Sequence, residues 1–294
     1  MALHAALEEV GAGIDRAFDA LLPVPDDARA RLYEAMRYAA IGGGKRIRPL
    51  LVIAACDLFK VDRARSMRVA LAVECIHVYS LIHDDLPCMD DDDVRRGKPT
   101  VHKAFGEAAA VLAGDSFHAL AFEILADAET HEDPFVRSDL VLELAKASGP
   151  SGMAGGQMMD LAAEGKSLDL PAITRLQQLK TGALIEYAVE APCIMARLPA
   201  EARTPYRGYA RNIGLAFQIA DDLIDHAGDP NAAGKRTGKD AEAGKATFVS
   251  VFGPDRAEQQ ARVLVNQAIE HLAEHGEEAN LLRALARFAI ERNH

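Results

Sequence analysis

Cysteine is scarce and unpatterned in this chain. Cys56, Cys75, Cys88 and Cys193 show no CxxC pair and no metal-finger spacing, so they read as reduced thiols of a cytoplasmic protein. Positive charge is the minority sign. Against 33 Lys and Arg stand 44 Asp and Glu, and the formal charge of −11 gives a field that repels nucleic acid and anionic membrane. An anionic substrate must then be held by local cations or by metal ions. No run of about 18 apolar residues is evident, and the first ten residues place Glu8 and Glu9 where a signal peptide has its apolar core, so neither export nor membrane insertion is expected. A Pro/Gly linker, a solenoid repeat and a Walker loop are also missing, which favours one domain over 1–294.

Alternating strand-like runs are nearly absent, while apolar residues recur at three- and four-residue intervals. That periodicity predicts an all-α fold, with helices over about 3–21, 27–41, 48–59, 64–85, 106–128, 134–148, 152–164, 170–180, 182–197, 200–226, 245–252, 255–275 and 279–292. Breaks fall at Pro23 and Pro25, at Gly42-Gly43-Gly44, at Pro87 and Pro99, at Pro134, and along 228–244.

An aspartate pair closes an apolar helix twice, at Asp84-Asp85 and at Asp221-Asp222. Carboxylates at a helix C-terminus oppose the macrodipole by up to about 1 kcal/mol each, so a cation should offset them. Oxygen-only donors suit Mg²⁺, which takes one or two carboxylates and completes its octahedron with water and phosphate oxygens. A solvated acidic loop is the plain alternative for the Asp90-Asp91-Asp92-Asp93 run. The second segment resists that reading. Asp221 and Asp225 share one helical face about 6 Å apart, and the apolar run 213–220 beside them implies burial, which is costly for carboxylates without a cation.

Cations stand in three groups beside these breaks: Lys45, Arg46 and Arg48; Arg95 and Arg96; and Lys235, Arg236, Lys239 and Lys245. Arginine pairs bidentately with phosphate oxygens and lysine supplies a mobile point charge, so these side chains are expected to grip diphosphates. Two acidic metal sites with separate cationic groups fit a reaction in which both reactants carry diphosphate.

With those residues in view, the sequence from about Gly42 onward resembles the trans-polyprenyl diphosphate synthase family, closest to bacterial short-chain farnesyl diphosphate synthases. Asp84-Asp85-Leu86-Pro87-Cys88-Met89-Asp90 resembles the family's first aspartate motif, DDxxxxD, and Asp221-Asp222-Leu223-Ile224-Asp225 its second, DDxxD. The resemblance implies a helical bundle around a central cavity and three Mg²⁺, with Mn²⁺ as a substitute. It gives the ions principally to Asp84, Asp90 and Asp221, with Asp85, Asp222 and Asp225 contributing directly or through water. It assigns Lys45, Arg48, His77 and Arg96 to isopentenyl diphosphate, and Arg95, Lys180, Thr181, Gln218 and Lys235 to the allylic diphosphate. Asp84, Asp90, Arg95, Lys180, Asp221 and Lys235 are the implied catalytic set, and a homodimer the implied assembly.

The reaction so implied ionises an allylic diphosphate, whose cation is attacked by the isopentenyl double bond before a proton leaves. Metals and arginines stabilise the departing charge, and water must be excluded. Tyr79 lies five residues before Asp84, about 7.5 Å along the helix axis, and with Ser80 would floor the cavity in which the product grows. An aromatic there, with the Pro87-Cys88 insertion, resembles enzymes that stop at farnesyl diphosphate. The alternatives are a geranylgeranyl diphosphate synthase and a noncatalytic subunit of a heteromeric synthase, the latter disfavoured because both acidic motifs are intact. A calcium buffer is disfavoured because the DxDxDG loop is missing.

Overall fold

A computed structural model describes residues 3–163, 165–166, 168–227 and 247–291. The described chain is almost wholly helical and divides into two compact units, 1–53 with 61–141 and 54–60 with 142–294.

The first unit opens with α1 (Leu3–Leu21), whose Ala6, Val10, Ile14 and Phe18 form a buried stripe at four-residue spacing. Phe18 meets Phe117 edge-on at 5.7 Å, and burying a ring of this size contributes about 2–3 kcal/mol. Next come α2 (Ala30–Ala40), the first residues of α3 (Ile47–Leu58), and α4 (Arg63–Asp84), which Asp62 caps by accepting from the amides of Ala64 and Arg65 at 3.0 and 3.1 Å. A hairpin of β1 (Val94–Arg95) and β2 (Lys98–Pro99), the short α5 (Val101–Phe105), α6 (Glu107–Ala126) and the first half of α7 (Pro134–Ser148) complete it. Helix α4 packs chiefly along α6, where Gly114 leaves room for the His83 ring; a Cβ there would stand 2.1 Å from His83 Nε2.

The second unit contains α8 (Met153–Ala163), α9 (Leu170–Gln177), α10 (Ala183–Met195), α11 (Thr204–Ala227), α12 (Phe248–Phe252), α13 (Pro254–Glu270) and α14 (Asn280–Glu291). Helices α9 and α10 are joined through a π turn, Gln178–Gly182, rather than by the break expected near residue 181. Helix α11 packs mainly against α13.

The periodicity reading holds for every long helix. It missed the hairpin, because two residues per strand are too few to display a period of two. As expected, no unbroken run of about 18 apolar residues occurs, although among the described residues α6 is long and apolar enough to cross a membrane by length and composition, with 39% of its most apolar window buried. Glu107, Asp115 and Glu123 interrupt its apolar side chains.

Candidate functional site

In the first unit α4 stops at Asp84, and the next loop folds back on the helix end. The Asp90 amide donates to the Asp84 carbonyl at 2.8 Å, Asp91 to Leu86 at 3.2 Å and Asp92 to Asp85 at 3.3 Å, with Asp91 left-handed at φ 49°. The seven-residue motif thereby closes on itself, and its first and last aspartates become neighbours in the backbone. Asp84 is half-buried and Asp90 exposed.

Asp85 has another task. Only 3% exposed, it takes the Arg95 Nε at 2.8 and 2.9 Å on its two oxygens and Arg95 Nη2 at 2.6 Å. Burial pushes its carboxyl above the ordinary carboxylate value, and Arg95 opposes the shift without cancelling it. The metal role assigned to Asp85 from sequence thus meets a carboxylate already holding an arginine.

Arg95 belongs to the hairpin, whose turn is Arg96 at φ 53° and Gly97 at φ 75°. Two left-handed turn residues match the twist of a tight hairpin, and glycine tolerates the second without strain. The turn delivers Arg96 onto the glycine run: a Cβ on Gly44 would sit 2.7, 2.8 and 2.9 Å from three guanidinium atoms of Arg96. Gly44 is itself at φ 90°. Gly44→Ala is therefore expected to displace Arg96 and to destabilise the fold by about 1 kcal/mol or more, read from a thermal melt.

The Lys45, Arg46 and Arg48 group divides. Lys45 is exposed and Arg48 half-buried, but Arg46, only 4% exposed, turns inward in a left-handed conformation at φ 48°. Its Nη1 donates to Glu74 at 2.6 Å, and its Nη2 donates to Asp15 at 2.7 Å and to the Ala40 carbonyl. The expectation that Arg46 grips diphosphate is corrected: it is a buried strut fixing the backbone between Lys45 and Arg48.

His77 stands on α4 amid the positive charge of this unit. Burial, then Arg48, Arg96, Arg95 and Arg46, hold its imidazole well below the usual histidine value, so it is neutral at pH 7. Four of the predicted residues, Arg48, His77, Arg95 and Arg96, are thus brought together. Tyr79, one residue beyond Val78, belongs to an aromatic row, edge-on to His83 at 5.6 Å and to His118 at 5.1 Å, with His118 in turn 5.1 Å from Phe122. Ser80 Oγ donates back to the His77 carbonyl at 2.8 Å, a bond internal to the helix.

In the second unit the π turn presents Lys180 and Thr181, a position where such turns often serve function. Lys180 Nζ reaches Asp160 Oδ2 at 2.7 Å. Thr181 Oγ1 donates to Gln218 Oε1 at 3.2 Å, Gln218 Nε2 donates to Asp222 Oδ1 at 3.0 Å, and the Phe248 amide donates to Asp222 Oδ2 at 3.0 Å. Asp222, 4% exposed, is the hub of this chain, while Asp221 and Asp225 are half-buried on α11.

The two motifs therefore share a division. The second aspartate of each is buried on protein partners, and the first and last reach the surface. Among the described residues no three His, Cys, Asp or Glu converge as a protein-made metal cage. Oxygen-only pairs of this kind fit Mg²⁺, which draws its remaining ligands from water and phosphate.

Lys235 and its neighbours Arg236, Lys239 and Lys245 lie outside the described residues, as does Arg292. Sequence reasoning missed Asp160, the partner of Lys180, and Gly156, where a Cβ would stand 2.2 Å from the Lys180 amide nitrogen. The run Gly155-Gly156-Gln157-Met158-Met159-Asp160 held the signal: paired glycines inside a helix, one turn before a lone carboxylate.

The family model described as polyprenyl synthetase matches residues 29–286. The chain is 45% identical to the farnesyl diphosphate synthase of Escherichia coli (strain K12), over 99% of this chain and 98% of that one. It is 40% identical to geranylgeranyl pyrophosphate synthase 4 of Arabidopsis thaliana, over 96% of this chain and 76% of the relative. The crystal structure of an FPP/GFPP synthase from Zymomonas mobilis superposes with a TM-score of 0.90 at 57% identity, covering 98% of each chain. Paired aspartate motifs, an arginine cluster around a neutral histidine, and a family match across most of the sequence converge: the chain belongs to the polyprenyl synthetase family.

Proposed function

We propose that residues 1–294 act as one polyprenyl synthase domain, condensing isopentenyl diphosphate with dimethylallyl or geranyl diphosphate to give farnesyl diphosphate. The observation that carries the reading is the division within both aspartate motifs, supported by the names of the relatives. Asp84 with Asp90 and Asp221 with Asp225 hold Mg²⁺, three ions in all, for which Mn²⁺ substitutes. When bound, the metal supplies Lewis-acid stabilisation of the departing diphosphate.

The chain's own residues do the rest. Asp85 fixes Arg95 so that its remaining N–H groups face the allylic diphosphate, and Lys180, held by Asp160, adds a charge on the same leaving group, as does Lys235. Lys45, Arg48 and Arg96 grip the isopentenyl diphosphate beside neutral His77, which donates a hydrogen bond without adding charge. Thr181 and Gln218, locked to each other and to Asp222, turn oxygen toward the allylic cation. Mutual repulsion of two diphosphates is offset by this basic set, although the molecule as a whole is acidic.

The protein acts in the cytoplasm as a homodimer; exposed Val111 and Leu112 on α6, 40% and 54% accessible, favour association through that helix. Incubation of the isolated chain with isopentenyl diphosphate, each allylic starter and Mg²⁺, followed by chromatography of the dephosphorylated products, tests the reading. A C15 alcohol is expected, a C20 alcohol would assign the geranylgeranyl alternative, and no product would refute the enzymatic assignment.

Tyr79 floors the growing chain, seated between His83 and His118, the latter braced by Phe122. Tyr79→Ala is expected to move the products beyond C15 in the same chromatogram; an unchanged distribution would place the floor elsewhere.

A further inference from the structure

The hairpin that presents Arg95 and Arg96 has two residues in each strand, too short to hold its own position in water. Little backs it. A pocket open to solvent lies against it, walled by Tyr38, Ile41, Val78, Ile82 and Val101, so on this side the hairpin does not rest on close-packed side chains. Its place is set by a few tethers. Two involve its arginines, which also line this pocket: the Arg95 pair with Asp85 and the packing of Arg96 on Gly43 and Gly44. A third closes its base, where the Thr100 hydroxyl donates to the Asp92 carbonyl at 2.8 Å.

The fourth comes from α2. Tyr38 donates its hydroxyl to the Pro99 carbonyl at 2.8 Å. The Lys98 ammonium stands 5.9 Å from the centre of the Tyr38 ring, within cation–π range, and the ring is braced edge-on by Phe105 at 5.3 Å. One side chain of a separate helix thus holds both residues of β2, directly across the ladder from Val94 and Arg95.

We infer that Tyr38 is a positioning residue for isopentenyl diphosphate binding: it latches the 94–99 hairpin to α2 and so fixes where the Arg96 guanidinium meets the substrate. It touches no reacting atom and acts through Arg96. The inference rests on the proposed role of Arg96 in gripping that diphosphate.

The test is a double-mutant cycle in steady-state kinetics, with a thermal melt of each variant. Tyr38→Phe keeps the ring, its contact with Phe105 and the cation–π pair, and removes only the hydroxyl bond. Loss of one such bond corresponds to about 2- to 10-fold. The expected result is a KM for isopentenyl diphosphate raised by about that factor, with kcat and the KM for the allylic diphosphate within about twofold and the melting temperature unchanged. Lys98→Met is expected to raise the same KM by a smaller factor. In an Arg96→Ala background Tyr38→Phe should have no further effect, because the guanidinium it positions is gone.

Should Arg96→Ala leave the isopentenyl KM unaltered, the assignment of Arg96 fails. Should Arg96→Ala raise it while Tyr38→Phe does not, or should Tyr38→Phe cost the same factor in both backgrounds, the positioning role alone is overturned. A fall in melting temperature with an unchanged KM would likewise overturn it, by making Tyr38 merely structural.

Discussion

Asp84→Asn and Asp221→Asn are each expected to lower kcat by about a hundredfold to a thousandfold while leaving the melting temperature close to that of the parent. Both carboxylates are half-buried, and on the proposed assignment loss of one charge would remove little packing but much of the hold on a divalent cation that would neutralise the departing diphosphate. Asp85→Asn should behave differently. It leaves Arg95 buried opposite a neutral amide, so both the melt and the KM for the allylic substrate should change along with kcat. Steady-state kinetics with raised Mg²⁺ separates the cases: excess metal should partly restore the Asp84 and Asp221 variants and do nothing for Asp85. Equal losses at all three positions, with no metal response, would remove the division of labour described for the two motifs.

Breaking the buried pair of Arg46 and Glu74 should have the largest effect on stability. Both side chains are nearly inaccessible, and Arg46 also serves Asp15 and the Ala40 carbonyl. Glu74→Leu would leave a guanidinium in the interior without its main counter-charge, a loss of about 3–5 kcal/mol. For a protein of this size that is on the order of a 10 °C fall in melting temperature. Replacing both partners by apolar residues, Arg46→Met with Glu74→Leu, should recover much of the loss, because no charge is then stranded. A double variant no more stable than the single one would mean that the Asp15 and Ala40 contacts dominate.

The helices were legible in the sequence because buried stripes such as Ala6, Val10, Ile14 and Phe18 repeat along them, and a period needs length to show. The aspartate motifs were legible because several carboxylates on one helix end require a compensating cation, wherever the rest of the chain lies. What could not be read was direction. Arg46 and Arg48 are two residues apart and chemically alike, yet one turns into the core, a choice made by Glu74 28 positions away. Asp85 and Asp222 look like their neighbours in sequence, and only the structure shows that one holds Arg95 and the other the Phe248 amide. The hairpin escaped because its signal is a left-handed turn at Arg96 and Gly97 rather than any pattern of apolar residues.

The π turn at Gln178–Gly182 carries one more consequence. A wide turn holds an extra residue within a continuous helix, and so absorbs an advance of about 100° that would otherwise rotate α10 against α9. Removing Gln178 or Leu179 would let the turn tighten to an ordinary α-helix and re-space the side chains it carries, drawing Lys180 and Thr181 away from Asp160 and Gln218 even though both were retained. Here spacing constrains the chain more tightly than composition, and an indel should be tolerated less well than a substitution at the same place.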